Sequence, residues 1–365
     1  METNFIEKTV LIAPLDWGLG HASRCIPLIK YLQKRNCKIV IASSGEQLSL
    51  LSREFPGLEY VPLKGYNVNY SMHKRWFGAK ILLQSPKILL RIKQEHRYLE
   101  AIIDKHKIDI VISDNRYGLY TKKVPCIFIT HQLSIKANYI WLENIIRKIN
   151  YRFINRFMEC WVPDFEGKEN IAGELSHPNK MPHIPVKYIG ALSRFQDTNS
   201  NEIIYKYLFV LSGPEPQRSI LEQTVLHITA KLNGKILIVR GKPAEEKQES
   251  ISETYSICNH LTTEEMQRAF LQSEYIISRS GYTTVMELLS LQKKSILIPT
   301  PGQTEQEYLA THLMKQNWCY CCNQNDDLLY HIQQAEKFDY QLPKPGEPVY
   351  EKVIDNLLNT GIGFS

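Results

Sequence analysis

Two α/β domains, each a doubly wound parallel sheet covered by helices, are what this sequence predicts, on three observations. Short β-branched runs alternate with helical stretches along all 365 residues, the pattern of strands joined by helical crossovers. The runs fall into two series, and the segment SRFQDTNSNE at 193–202 between them is polar and aperiodic, as a linker is. The length is generous for one compact domain and comfortable for two, each with its own core.

The first series reads as strands at 8–14, 38–42, 58–62, 108–113, 126–130, 160–162 and 186–189. Runs as apolar as KTVLIAP and KIVIA are buried on both faces, which requires helices above and below the sheet. The second series reads 207–211, 235–239, 255–258, 275–278, 295–299 and 319–321. The apolar pattern of 350–358, after the Pro-rich QLPKPGEP, is a last helix beyond the last strand. Such sheets carry their ligand crevices at the carboxyl ends of their strands, and two of them joined end to end are expected to face each other.

Composition narrows the class. Hydrophobic residues make up 43% and charged residues 22%, with no low-complexity tract, which excludes a disordered chain. The eight cysteines fall mostly inside apolar runs and are expected to be reduced packing residues of a cytosolic protein. Met1 to Lys8 is polar, the next apolar run stops at Asp16, and no segment reaches the roughly 20 apolar residues that span a bilayer. The expectation is therefore a cytoplasmic protein. Its net charge of +6 conceals an asymmetry, for residues 1–200 hold 29 Lys or Arg against 18 Asp or Glu, and the remainder 15 against 20. A basic first half suits nucleic acid, anionic lipid or an anionic substrate, and charge alone does not choose. Two stretches, 74–107 and 140–161, interleave cations with aromatic and aliphatic residues. They read equally as peripheral membrane-binding helices or as ordinary helices with solvated basic edges.

The first strand runs into Leu15-Asp16-Trp17-Gly18-Leu19-Gly20-His21-Ala22-Ser23, with a helix starting near Gly20 and Arg24 on its first turns. Glycines there let the backbone turn sharply, and the free N–H groups of the helix favour negative charge. A nicotinamide-binding GxGxxG loop is nearly spelled, with Ser23 in the place of the third glycine. That motif wants a carboxylate ending the second strand, and here the strand ends Ala42-Ser43-Ser44-Gly45. His21 at the mouth of a parallel sheet suits a general base near neutral pH, or equally a helix cap or anion ligand. Asp114, ending another strand, either orients His21 or caps the next loop. His131 closes a third strand as a candidate acceptor contact.

In the second series Ile277-Ser278-Arg279-Ser280-Gly281-Tyr282-Thr283-Thr284-Val285-Met286-Glu287 follows a strand and opens a helix. Ser280, Gly281, Thr283 and Thr284 offer N–H and hydroxyl groups to a diphosphate without a metal, and Glu287 can accept from two ribose hydroxyls. A plain capping run is the alternative.

These stretches together resemble the peptidoglycan N-acetylglucosaminyltransferase MurG and its relatives: Ser278 to Glu287, the strand 295–299 and Gln303-Thr304-Glu305-Gln306-Glu307-Tyr308 in one half, Gly18 to His21 with Pro27 in the other. The resemblance implies the GT-B fold, two Rossmann-like domains facing a central cleft, with an acceptor domain over 1–195, a donor domain over 196–345 and a helix in 346–365 returning to the first domain. It implies an enzyme, a glycosyltransferase that inverts configuration without a metal or cofactor, with a UDP-sugar as co-substrate. His21 would be the base, with Asp114 its partner and Gly18, Gly20 and His131 on the acceptor side. Arg194, Ser212, Gly213 and Arg218 would face the donor phosphates, Leu261 to Thr263 the base, Glu287 the ribose, and Gln303, Glu305 and Gln306 the sugar. The expected partners are a nucleotide sugar and a glycan or lipid-linked acceptor, with no nucleic acid. Asp16-Trp17 and Glu215-Pro216 intrude where relatives carry richer glycine runs, and Gln306-Glu307 replaces paired glutamines. These departures point to an acceptor other than that of peptidoglycan. A nonhydrolysing UDP-sugar 2-epimerase and a non-catalytic nucleotide-sugar-binding subunit are the alternative readings.

Overall fold

The computed structural model describes residues 7–66, 77–137, 139–195, 202–242, 248–252, 255–344, 346–347 and 349–359. The linker residues 196–201 and the start of the basic stretch, 74–76, lie outside them. The chain divides into two compact units, the first holding, of the described residues, 7–66 and 78–192 together with the chain from Gly346, the second holding Ser193–Pro345 together with Phe77.

The first unit is a seven-stranded sheet of β1 (Thr9–Pro14), β2 (Lys38–Ser43), β3 (Glu59–Pro62), β4 (Ile110–Asp114), β5 (Cys126–Ile129), β6 (Glu159–Val162) and β7 (Val186–Tyr188). Its order is β3-β2-β1-β4-β5-β6-β7, parallel throughout. The central strands TVLIAP, IVISD and CIFI are buried along their whole length, which is why they read as continuous apolar runs rather than alternating ones. Helices α1 (Leu19–Lys34), α2 (Gly45–Glu54), α3 (Phe77–His106) and α4 (Ile140–Ile154) make the crossovers.

The second unit is also seven-stranded: β8 (Tyr205–Val210), β9 (Ile236–Val239), β10 (Gln248–Ser252), β11 (Tyr255–Cys258), β12 (Ser273–Ser278), β13 (Lys294–Leu297) and β14 (Tyr320–Cys321), in the order β10-β11-β9-β8-β12-β13-β14. Its helices are α5 (Gln217–Thr229), α6 (Thr263–Leu271), α7 (Tyr282–Ser290), α8 (Thr304–Lys315) and α9 (Leu328–Ala335). Strand β10 was not anticipated. It pairs antiparallel to β11 at the sheet's edge, and its sequence QESIS lacks the apolar run that marks the inner strands. The final helix α10 (Tyr350–Asn359) belongs to the first unit, where the Tyr31 hydroxyl donates to Asp355 Oδ2 at 2.9 Å and Ile354, Leu357 and Leu358 are buried.

In each sheet the order reverses direction at the central pair, β1 beside β4 and β8 beside β12. Such a switch point parts the loops that follow the two strands and opens a crevice between them. The loops at the first are set by Arg116, which is fully buried. Its Nε donates to the Pro14 carbonyl at 2.9 Å, and its Nη1 to Glu95 Oε1 of α3 at 2.7 Å. Glu95 Oε2 in turn accepts from the Tyr66 hydroxyl at 2.7 Å and the Gly118 N–H at 3.3 Å. Breaking this pair from one side strands a buried carboxylate, so Arg116→Met is expected to lower the unfolding free energy by about 3–5 kcal/mol, measured in urea. A loss under about 1 kcal/mol would remove the anchoring role.

Candidate active site

The loop after β1 ends at Gly18, whose φ of 80° and ψ of 166° suit glycine and set the direction in which α1 leaves the sheet. Gln47 Nε2 donates to the Gly18 carbonyl at 3.1 Å and steadies the turn. Gly20 lies within α1, and His21 occupies its first turn. Asp114 is the last residue of β4, in register with Pro14 of β1 and Ile129 of β5. His131 follows β5 by two residues. The first switch point thus collects the ends of three adjacent strands.

The sequence-designated His21, Asp114 and His131 are brought together here, with Arg24 at their centre. His21 Nδ1 lies 3.0 Å from Asp114 Oδ2 and 2.9 Å from Arg24 Nη2. Arg24 Nε donates to Asp114 Oδ2 at 2.8 Å, its Nη2 bonds Asp114 Oδ1, and its Nη1 is 3.0 Å from His131 Nδ1. Asp114 is fully buried, and only 14% of the His21 side chain is exposed. Asp114, which only accepts, favours the proton on His21 Nδ1, whereas Arg24 Nη2, which only donates, favours the lone pair there; a base acting through Nε2 uses the first of these tautomers. That tautomer leaves the lone pair on Nε2, while the His21 contacts to Asp114 and Arg24 are made through Nδ1.

Burial lowers the His21 pKa from its ordinary 6.5; Asp114 opposes the shift and Arg24 reinforces it. Burial alone would raise the Asp114 carboxyl, but Arg24 and His21 overcome it and hold the group at about 2. The aspartate is therefore ionised and the imidazole neutral at pH 7. An oriented, neutral imidazole with its lone pair on Nε2 can remove a proton from a hydroxyl. Arg24 was noted on the helix without a role; its spacing of three from His21, on one helical face, was the available signal.

In the second unit, α7 begins at its N-cap Gly281, and no side chain caps it. The Ser280 hydroxyl instead donates to the Gln306 carbonyl at 2.9 Å, so the capping explanation of this motif fails for the serine. The N-terminus of α7, beside Thr283 and Thr284, presents the positive end of the helix dipole to an anion. A side chain on Gly281 would meet nothing within 4 Å. Further along α7, Glu287 is 4% exposed. Its Oε1 accepts from Arg194 Nε at 2.7 Å, which places Arg194 in the second unit rather than the first. Burial raises the Glu287 pKa against the charge and hydrogen bond of Arg194.

Several of the other candidate residues have partners of their own. Arg218 Nε donates to Glu215 Oε1 at 2.7 Å and its Nη1 to Glu222 Oε2 at 2.6 Å, so two carboxylates already answer its charge. Gln306 Oε1 accepts from the Thr300 N–H at 2.8 Å while its Nε2 donates to Gln303 Oε1 at 2.5 Å, tying the turn before α8. Glu305 lies in the first turn of that helix. Ser212 and Gly213 follow β8, Gly213 at a φ of 109°. Leu261 precedes a capping box of Thr262 with Glu265, and Thr263 opens α6. Asp327 caps α9, accepting from the Tyr330 N–H at 3.2 Å. Beside α8 a pocket of about 240 Å3 is lined by Pro299, Gly302, Glu307 and Asn323 to Asn325. Among the described residues no cluster of three His, Cys, Asp or Glu could hold a metal. Cys319 and Cys322, spaced as a CxxC pair, are free and buried, and burial pushes both thiols up, Cys322 to about 12.

Residues 207–339 match the Glycosyltransferase family 28 C-terminal domain. The UDP-N-acetylglucosamine–N-acetylmuramyl-(pentapeptide) pyrophosphoryl-undecaprenol N-acetylglucosamine transferase of Finegoldia magna is 26% identical over 302 residues, 78% of this chain and 76% of its own. The same-named protein of Listeria monocytogenes is 23% identical over 315 residues, 82% of this chain and 81% of its own. Among solved structures, Acinetobacter baumannii MurG superposes with a TM-score of 0.56 at 13% identity, covering 96% of this chain and 99% of its own. The spinosyn rhamnosyltransferase SpnG complexed with thymidine diphosphate reaches 0.62 at 11%, covering 96% and 95%. With two Rossmann-like sheets, a family 28 domain in the second unit and relatives of this kind along most of its length, the chain is a MurG-like glycosyltransferase of the GT-B fold.

Proposed function

We propose that this enzyme transfers a hexose or N-acetylhexosamine from a UDP-sugar to a glycan or lipid-linked acceptor, with inversion and without a metal. The observation that carries the reading is the His21–Asp114–Arg24 arrangement, a neutral imidazole held by an ionised aspartate through Nδ1. The UDP donor is carried over from the names of the Finegoldia and Listeria relatives. The departures at Asp16-Trp17 and Gln306-Glu307 favour an acceptor other than theirs.

In this mechanism the acceptor hydroxyl attacks the anomeric carbon as His21 Nε2 takes its proton, and the bond to the UDP oxygen breaks on the opposite side. One displacement at one centre inverts it. Negative charge grows on the departing diphosphate, where the N-terminus of α7 stabilises it electrostatically. Glu287 accepts from the ribose hydroxyls through Oε2 while Oε1 stays on Arg194.

Helix α4 supports a peripheral membrane contact. Ile140, Trp141, Ile145 and Ile149 are exposed along it, with Arg147, Lys148 and Arg152 among them. An apolar face flanked by cations suits anionic lipid, as a lipid-linked acceptor requires. On α3, Leu89 and Leu90 are also exposed. No helix among the described residues is long and apolar enough to cross a membrane.

His21→Ala is expected to lower kcat by about 10²- to 10⁴-fold while UDP affinity stays at the wild-type value. Because His21 acts only unprotonated and its pKa lies below 6.5, kcat/KM rises with pH through an apparent pKa below that value and is flat at neutral pH. An acid limb centred above 6.5, or undiminished activity in His21→Ala, removes it as the base. Glu287→Gln keeps an acceptor for Arg194 but loses the charge, and is expected to weaken UDP binding about 10-fold or more in calorimetry. Wild-type protein that binds no nucleotide or nucleotide sugar would end the donor reading. NMR of the product's anomeric proton decides inversion.

A further inference from the structure

Arg279 carries a buried charge that no carboxylate among the described residues answers. Its side chain is among the largest in the protein to be fully buried, alongside Arg24 and Arg116. Those two face carboxylates, Asp114 and Glu95. Arg279 makes no ion pair among the described residues. Its acceptors are neutral: the Gln217 carbonyl at 2.8 Å, the Ile298 and Pro299 carbonyls at 3.3 and 3.4 Å, and Gln324 Oε1. Burial alone, with nothing opposing it, pulls the pKa down to about 10, so the guanidinium is still charged at pH 7.

One donor is also left over. Arg279 Nε is buried without a partner, and so is the hydroxyl of Thr300, a residue 2% exposed. Both border the same spot. A side chain at Gly213 would begin 3.6 Å from Thr300 Oγ1 and 3.8 Å from Arg279 Nε. Gly213 sits in the loop after β8 and Arg279 in the loop after β12, the two loops parted at the switch point of this sheet. A buried cation without a counter-charge is costly, and an unmade hydrogen bond to a charged group adds to the cost. An anion arriving at the Gly213 turn would answer both.

We propose that Arg279 and Thr300 form an anion subsite at the Gly213 turn, and that its occupant is the diphosphate of the donor, for which Arg279 is the missing counter-ion. The inference rests on the donor reading of the second unit and adds two leaving-group contacts to it. Arg218 is a poorer candidate for the same work, since Glu215 and Glu222 already neutralise it. As the bond to the diphosphate breaks, the leaving oxygen gains charge in the field of a buried guanidinium that water does not screen.

The test separates phosphate from nucleoside. Affinities for UDP and for uridine are measured by calorimetry on the full chain carrying Arg279→Gln or Thr300→Val, beside the wild type. The expected result is a loss of roughly 10- to 100-fold for UDP in Arg279→Gln, with uridine binding unchanged. Thr300→Val, which keeps the shape and removes only the hydroxyl, is expected to weaken UDP several-fold, again sparing uridine. Equal losses for UDP and uridine would make the two residues scaffolding and overturn the proposal. So would unchanged UDP affinity in both variants. Should Arg279→Gln fail to fold, Thr300→Val decides by the same comparison. Wild-type protein that binds uridine and UDP equally overturns the subsite alone, whereas wild type that binds neither overturns the donor reading beneath it.

Discussion

A charge removed from water must be answered by another group, and in this protein the answers determine where the loops above both sheets lie. Asp114 at the end of β4 is fully buried and ionised because Arg24 and His21 close on it. Arg24 reaches it only if α1 leaves β1 through the Gly18 turn, and the turn is held in part by Gln47. Asp114, Arg24 and His21 therefore do more than form a site. They fix the register between the first helix and the fourth strand, so that a substitution meant to probe chemistry at Asp114 also releases a buried guanidinium. Reading such a variant requires a stability measurement alongside the rate.

The same constraint explains why the imidazole is suited to its proposed work. A carboxylate beside a histidine normally raises its pKa, which would protonate it and make it useless as a base near pH 7. Here Arg24 spends the carboxylate's charge, bonding both of its oxygens, while burial penalises the imidazolium. Asp114 faces Nδ1 and still raises the imidazole pKa, but burial outweighs it and Arg24 adds to the lowering. Orientation and basicity are in this way set by different partners. Burial supplies most of that separation, and the arginine three residues along the helix adds to it.

Most strands were legible because both faces of an inner parallel strand are buried, which writes an apolar run into the sequence. Strand β10 was not, for an antiparallel edge strand needs no such run and QESIS has none. Residues such as His21, Asp114 and Glu287 were legible as candidates because a polar residue at a strand end, or one turn into the helix that follows, stands out against that background. Their partners were not. Sequence places Arg218 beside the phosphate loop but does not reveal that Glu215 and Glu222 turn toward it. It places Gln306 where a sugar is expected but does not reveal that Thr300 and Gln303 occupy its amide. Pairing is a property of side-chain direction across a turn, and spacing alone does not encode it.

The two units meet the cost of burying arginine in opposite ways, and the contrast bears on what each is for. In the first, Arg24 and Arg116 each face a carboxylate of their own. An acceptor hydroxyl is neutral and needs only an oriented base. In the second, Arg279 ties three segments, at Gln217, Ile298–Pro299 and Gln324, through neutral acceptors and makes no ion pair among the described residues. A carboxylate placed there would have stabilised the free protein and repelled a diphosphate. In the proposed diphosphate subsite, leaving the counter-charge out trades stability of the empty unit for affinity toward an anionic ligand, as a leaving group that gains negative charge requires.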